Sequence, residues 1–275
     1  MVPVYEAKML HHYDHRWATY EGGSIRDVTD AEKNDPSFAV LPRYWVEGSE
    51  MTGRLPGSHR NWLLAFRDIA RSTDERTLTC SPIPLTAVGH TAPLAFATHP
   101  ELLSAMWSSL AYDYVTRQKV GGTHITYSYL KQLPTLGRPL FESESRWDAY
   151  ASIATWLSAR SAELGYTARD IEALGCGQEL FEWNTDRRTR LRSELDSAFF
   201  HLYGITRDDV SYILDTFPIL RGKDEARFGE YRTKRVVLEV FDALQHAIDT
   251  GEPYRTVLDP APGRGPRHEI QEVAV

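Results

Sequence analysis

The sequence predicts an α+β fold, with a mixed α/β region over residues 1–142, a helical region over 143–259 and a flexible tail over 260–275. Three observations carry the prediction. The first region is rich in Pro, Gly, Thr and aromatic residues and holds short alternating apolar runs between turn signals. From about residue 143 the apolar spacing lengthens to the three-and-four pattern of packed helices. From Pro260 onward Pro, Gly and charge dominate, a composition poor in apolar residues to pack.

In the first region Trp62, Leu64 and Phe66 alternate with Leu63, Ala65 and Arg67. Arg76, Leu78 and Cys80 alternate again after the turn-forming STDE at 72–75. The pattern reads as a β-hairpin carrying Arg67, Arg71 and Arg76 near its turn. THPELLSAMWSSLAYDYVTRQ has a helix period through Leu102, Met106, Leu110 and Tyr114, with Thr98 as cap. THITYSYLKQLP reads as a second strand, closed by Pro134, which has no N–H for a central ladder. In the second region, SRWDAYASIATWLSARSAEL places Trp147, Tyr150, Ala154 and Leu157 on one helix face. TARDIEALG offers Thr167 and Asp170 at capping-box spacing and Gly175 as a terminator. RRTRLRSELDSAFFHLYG aligns Leu191, Leu195, Ala198 and Leu202 and ends at Gly204. TRDDVSYILDTFP opens with Thr206 as cap and stops before Pro218. A last helix over about 229–249 buries Val237, Phe241, Leu244 and Ile248, with Gly251 beyond it.

Composition narrows the function classes. At 275 residues, 42% hydrophobic and 25% charged, the chain can bury a large core. No apolar run approaches the roughly 20 residues of a membrane-spanning helix, and MVPVYEAKML lacks the order of a signal peptide, so a cytoplasmic protein is expected. Cys80 and Cys176 are too few and too far apart for a disulfide framework or a zinc site and read as small buried hydrophobes. The net charge of −7 argues against a freestanding nucleic-acid binder, so a DNA role must rest on local patches or a partner.

Short motifs give little catalytic chemistry. Glu6 and Lys8 match the Glu-x-Lys half of a metal-dependent nuclease motif without its upstream acid. His11, His12, Asp14 and His15 carry ligand-type side chains, but no separate acidic or Cys motif completes a metal shell, and none is assigned. NDPSF at 34–38 is a faint version of the Asn/Asp-Pro-Pro-Tyr/Phe loop that holds a flipped adenine. GCG at 175–177 and GRG at 263–265 do not sit between a strand and a helix, so no nucleotide loop is supported. The cations remain. Arg outnumbers Lys and offers a planar fork to phosphate or guanine edges. The runs RRTRLR (187–192) and RTKR (232–235) read as salt-bridged helix faces, with Arg190–Glu194, Arg192–Asp196 and Arg235–Glu239 at four-residue spacing.

A resemblance attaches to longer blocks. VPVYEAKMLHHYDHRWATYEG, LPRYWV, FRDIARSTDERT, VGGTHITYSYLKQLPTLGRPLF, SELDSAFFHLYGITRDDVSYILDTFP and FGEYRTKRVVLEVFDAL together resemble the C-terminal part of large bacterial adenine-specific DNA methyltransferases. These enzymes belong to restriction-modification and phage-defence systems, including the DISARM type. The resemblance runs from Val4 to about Pro262, in the family's order. It implies a target-recognition region followed by a helical segment, and LKQLPTLGRP resembles the exit into a spacer helix in restriction specificity subunits. The family's Gly-rich loop for S-adenosylmethionine and its proline-rich loop for the flipped adenine lie upstream of the matching region. Neither is present here, so no catalytic residue carries over and the chain is expected to be inert alone. It would be an excised domain, a truncated product or a separate specificity part. No cofactor is expected in this chain, S-adenosylmethionine belonging to the upstream catalytic domain. The implied partners are double-stranded DNA, that catalytic domain and other phage-defence subunits.

The expected DNA contacts are Arg67, Arg71 and Arg76 of the hairpin, with Arg43, His90 and Lys131 in matching or adjacent loops. Two other classes stay open at this point. One is a protein-interaction module docking a helicase or nuclease. The other is a metal-dependent nuclease built on Glu6, Lys8 and the His cluster.

Overall fold

The structure, a computed structural model, describes residues 1–55, 61–171 and 179–269. Strand β1 (Val2–Tyr5) leads through a 3-10 turn into the hairpin β2 (Ala18–Glu21) and β3 (Ser24–Asp27). Gly22 and Gly23 turn that hairpin with φ of 56° and 86°, the left-handed values a two-residue turn needs. A short helix α1 (Asp30–Asn34) follows, closed by a complete capping box between Thr29 and Glu32. Next come β4 (Tyr44–Val46), α2 (Gly48–Thr52), β5 (Trp62–Phe66), β6 (Cys80–Pro84), β7 (Ala87–Val88) and β8 (Leu94–Ala95). One sheet has the order β4-β1-β7, with β1 antiparallel to β4 and parallel to β7. A second has the order β6-β5-β8, all antiparallel. Helices then dominate: α3 (Pro100–Ser108), α4 (Leu110–Lys119), α5 (Tyr127–Leu130), α6 (Arg138–Glu142), a small hairpin β9 (Glu144–Ser145) and β10 (Asp148–Ser152), α7 (Ile153–Gly165), α8 (Thr185–Leu202), α9 (Arg207–Asp215), α10 (Pro218–Phe228) and α11 (Arg232–Thr250). The predicted α+β class is the observed one.

Alternation along β5 organises the interior. Trp62, Leu64 and Phe66 enter the larger core, packed with residues of α3, α4, α7, α8 and α11. Leu63 and Ala65 point the other way into a smaller core with Tyr5, Met9, Leu10 and Tyr20. The larger core runs continuously across residue 142, joining Leu102 and Met106 to Trp156, Leu195 and Phe241. Helices α8 and α11 form its helical side, and α11 ends at Gly251 in the left-handed conformation, as its sequence predicts.

Several expected elements differ. The helix predicted over 98–118 is broken at Ser109, whose extended backbone and hydroxyl, accepting from Tyr112 N, cap α4. His99, not Thr98, stands at the N-cap position of α3, without a side-chain capping bond, and Pro100 follows as the first helical residue. THITYSYLKQLP is not a strand. It makes a single bridge, Ile69 to His124, and then turns into α5. The helix predicted from Arg146 begins at Ile153, because 144–152 form β9 and β10 and Ser152 caps α7, leaving Tyr150 90% exposed. Pro218 ends α9 as predicted and also opens α10 as its first residue. The segment 260–269, expected as flexible tail, is tied down: Glu163 accepts from Gly263 N, Glu182 N donates to Pro266 O and His268 N to Leu180 O. Gly175, Cys176 and the GCG motif lie outside the described residues. Among the described residues, no helix is long and apolar enough to cross a membrane.

Candidate nucleic-acid interface

The hairpin of β5 and β6 forms, with Trp62 opposite Pro84 and Phe66 opposite Cys80, but its second strand begins at Cys80, so Arg76 and Leu78 lie in the long connection and not in the strand expected there. Its position corrects the expectation that it presents three arginines. β5 is the central strand of its sheet, and the connection over 67–79 is folded against the protein. Arg67 continues the face of Leu63 and Ala65, so its fork meets the interior. Its Nε and Nη2 both donate to the Leu10 carbonyl, at 2.8 and 2.5 Å. Arg76 donates from Nε to Asp113 Oδ2 at 3.1 Å and from Nη2 to Ser108 O at 2.6 Å. Asp113, fully buried on α4, also accepts from Thr77 N and Leu78 N. Burial works against the Arg76 charge, yet the carboxylates of Asp113 and Asp196 outweigh it and hold the pKa above its ordinary value. These two arginines therefore clamp the connection down and are not open to a duplex. Arg71 is the exception. It is exposed, and its side chain has no hydrogen bond or ion pair among the described residues.

The remaining expected contacts are on the surface. Arg43 is exposed above the ring of Tyr44, 5.3 Å from its centroid. His90 and Lys131 are also exposed. His90 lines a groove of about 540 Å³ between the β4-β1-β7 sheet, α2, and the loops around β8, with Val4, Val46, Met51 and Leu94 as its apolar floor. Phe96 and Tyr127 stand at its edge, 54% and 50% exposed, and Tyr127 is anchored through its hydroxyl to Leu94 O. Lys131 is one helical turn beyond Tyr127, its N–H donating to the Tyr127 carbonyl. Arg71 follows Ala70, whose N–H donates to Thr123 O, so it joins the same end of the molecule as the loop leading to α5. Tyr44 and Trp45 on β4 add two more half-exposed rings.

The aromatic set Tyr44, Trp45, Phe96 and Tyr127, and Arg54 in the groove wall, were missed by the sequence reading. The RYW of LPRYWV was the available signal, a cation followed directly by two large rings in a short strand.

Other motifs are absorbed by the fold. Arg16, fully buried, donates to the carbonyls of Lys33, Asp35, Phe38 and Thr167 and so staples NDPSF in place. His15 pairs with Asp170 at 2.8 Å and Asp14 with Lys33 at 2.7 Å, while Glu6 accepts from Tyr20. Among the described residues, no group of three or more His, Cys, Asp or Glu converges as a metal site. The basic runs are salt-bridged only in part as expected. Arg235 does pair with Glu239, but Arg190 reaches across to Glu239 at 3.7 Å, and Glu194 is taken by Arg160. No family model, curated protein or solved structure matches the chain.

Proposed function

We propose that this chain is the DNA target-recognition part of an adenine-specific DNA methyltransferase, acting with a catalytic domain carried elsewhere and inert as a methyltransferase alone. The observation that carries the reading is a set of exposed cations and rings: His90, Phe96 and Tyr127 at the groove beside β7, Arg43, Tyr44 and Trp45 on and beside β4, Lys131 one turn beyond Tyr127, and Arg71 beside the loop leading to α5. Such a set suits DNA. Guanidinium and ammonium groups neutralise phosphates and read guanine edges. Aromatic faces take thymine methyls or bases unstacked when a neighbouring adenine is flipped. The resemblance of the six sequence blocks supports the same assignment. A cytoplasmic setting goes with it, as do S-adenosylmethionine in the catalytic partner and other phage-defence subunits as further company.

A second reading has one observation in its favour. The groove floor is apolar and the chain carries a net charge of −7, which suits a protein docking site. Titrating duplex DNA at several salt concentrations separates the two. The DNA reading predicts a linear fall of log affinity with log salt, about 0.9 per phosphate contacted. Undetectable DNA binding at low salt, with retained fold, contradicts it.

A further inference from the structure

A second concave region lies between the HHYDH turn and α8. It comprises two adjoining cavities of about 140 and 310 Å³, which share His11, His12, Trp17, Thr185 and Arg192. The smaller continues toward Lys33 and Trp183, the larger toward Arg76 and α10. Acids and bases both line it, so the informative question is which of them are already satisfied.

The carboxylates are satisfied. Asp14 accepts from Lys33 and from Arg16 N, Asp30 from Thr185, Glu75 from Lys223, Asp196 from Leu110 N and Asp224 from Thr233 N. The donors at the shared part are not. Arg192 makes no hydrogen bond or ion pair among the described residues. His12 is 4% exposed, and neither of its ring nitrogens has a hydrogen-bond partner. The His11 ring packs on the rings of His12 and Trp17. Burial, followed by positive neighbours that include Arg67, Arg76 and Arg192, pushes both imidazoles well below their ordinary pKa. Those positive neighbours surround the cavity inside a protein whose net charge is negative. A guanidinium without a partner and an orphaned His12 imidazole in one cavity are costly unless something occupies it.

We propose that this cavity binds the phosphoryl group of a small phosphate-bearing molecule, with the Arg192 fork as its principal anchor and His12 as a neutral donor. The fork gives two-point contact to phosphate oxygens. The size points to a small molecule: 310 Å³ is at the lower end of ligand pockets, and a duplex does not enter one. The rings of Trp17 and Trp183 wall the smaller cavity but already pack on Lys33 Nζ, about 5 Å from each, with His11 also on Trp17 and Arg188 on Trp183, so the phosphoryl group itself is the part the site is built to hold. The site is independent of the groove beside β7.

The test is isothermal titration of the whole chain with inorganic phosphate and with adenosine monophosphate, repeated in the presence of a duplex oligonucleotide. Saturable binding of one or both is expected, lost about tenfold or more in Arg192→Met, with Arg192→Lys in between because it keeps the charge and loses the fork. Removing a half-buried cation that has no ion pair among the described residues should leave the thermal midpoint of Arg192→Met equal or higher, so loss of binding is separable from loss of fold. Phosphate should also raise the midpoint of the unaltered chain and not that of Arg192→Met. No binding to the unaltered chain, or equal binding by folded Arg192→Met, overturns the proposal. Displacement of phosphate by the duplex overturns the small-molecule assignment.

Discussion

Arginine serves opposite ends in the basic run of α8 and in the surface loops that carry Arg43 and Arg71. On α8, Arg187 is paired with Glu163, Arg188 donates to the carbonyls of Leu164 and Tyr13, and Arg190 faces Glu239, with half-buried Arg192 at the end of the run the exception. In the surface loops, Arg43 and Arg71 are exposed and neither makes an ion pair among the described residues. The same contrast divides the connection over 67–79, where Arg67 and Arg76 turn inward and Arg71 does not. The lesson is about cost. A guanidinium keeps its charge in practice, so a buried one must find acceptors, and here they are carbonyls and carboxylates distant in sequence. An exposed one is nearly neutral for stability and is available for a partner.

The largest effect should come from the most buried pair. Arg160 donates to Glu194 at 2.8 Å, and Glu194, fully buried, also accepts from Tyr254 and Thr256, tying α7, α8 and the segment after α11 together. Arg160→Ala should cost about 3–5 kcal/mol in a denaturant titration, since it leaves that carboxylate without its cation. Asp196 tests the same interior through pH. Burial pushes its carboxyl up to about 6, above the ordinary 3.8 of the unfolded chain. A raised acid favours the folded state when protonated, so its contribution is full below pH 3.8 and is lost as pH rises through about 6. Asp196→Asn should therefore match the unaltered chain near pH 4 and exceed it by about 1–3 kcal/mol at pH 8. The smallest effect belongs to the exposed cations. Arg43→Ala and Lys131→Ala should each change stability by less than about 0.5 kcal/mol, read as unchanged thermal midpoints.

How much of this was legible in the sequence follows from the range of the interactions. The alternation of Trp62 to Phe66 is a local pattern, and it gave the strand, while the register and the start of its partner at Cys80 were set by the long connection between them. Gly204, Gly251 and Thr206 are local terminators and caps, and they stand where expected. The break at Ser109 was hidden, because Leu102, Met106 and Leu110 keep one period across it while a single serine does the capping. THITYSY has a strand's composition, yet only His124 pairs before Thr126 opens a helical turn, a choice made by its neighbours at Asp68 and Ala70. The fates of the arginines were the least legible. Arg67 meets Leu10, fifty-seven positions away, and Arg76 meets Asp113, thirty-seven away, so nothing near either residue announces its partner.

The division of labour between inward and outward arginines is tested most directly by measuring Arg71→Ala and Arg76→Ala side by side for thermal midpoint and for duplex DNA affinity at a temperature where both are folded. Arg71→Ala should keep its midpoint, bind DNA more weakly and show a salt slope shallower by about one phosphate contact. Arg76→Ala should lose about 2–4 kcal/mol of stability through the uncovered Asp113 and bind DNA as the unaltered chain does. The reverse pattern, with DNA affinity depending on Arg76 and indifferent to Arg71, would contradict the account.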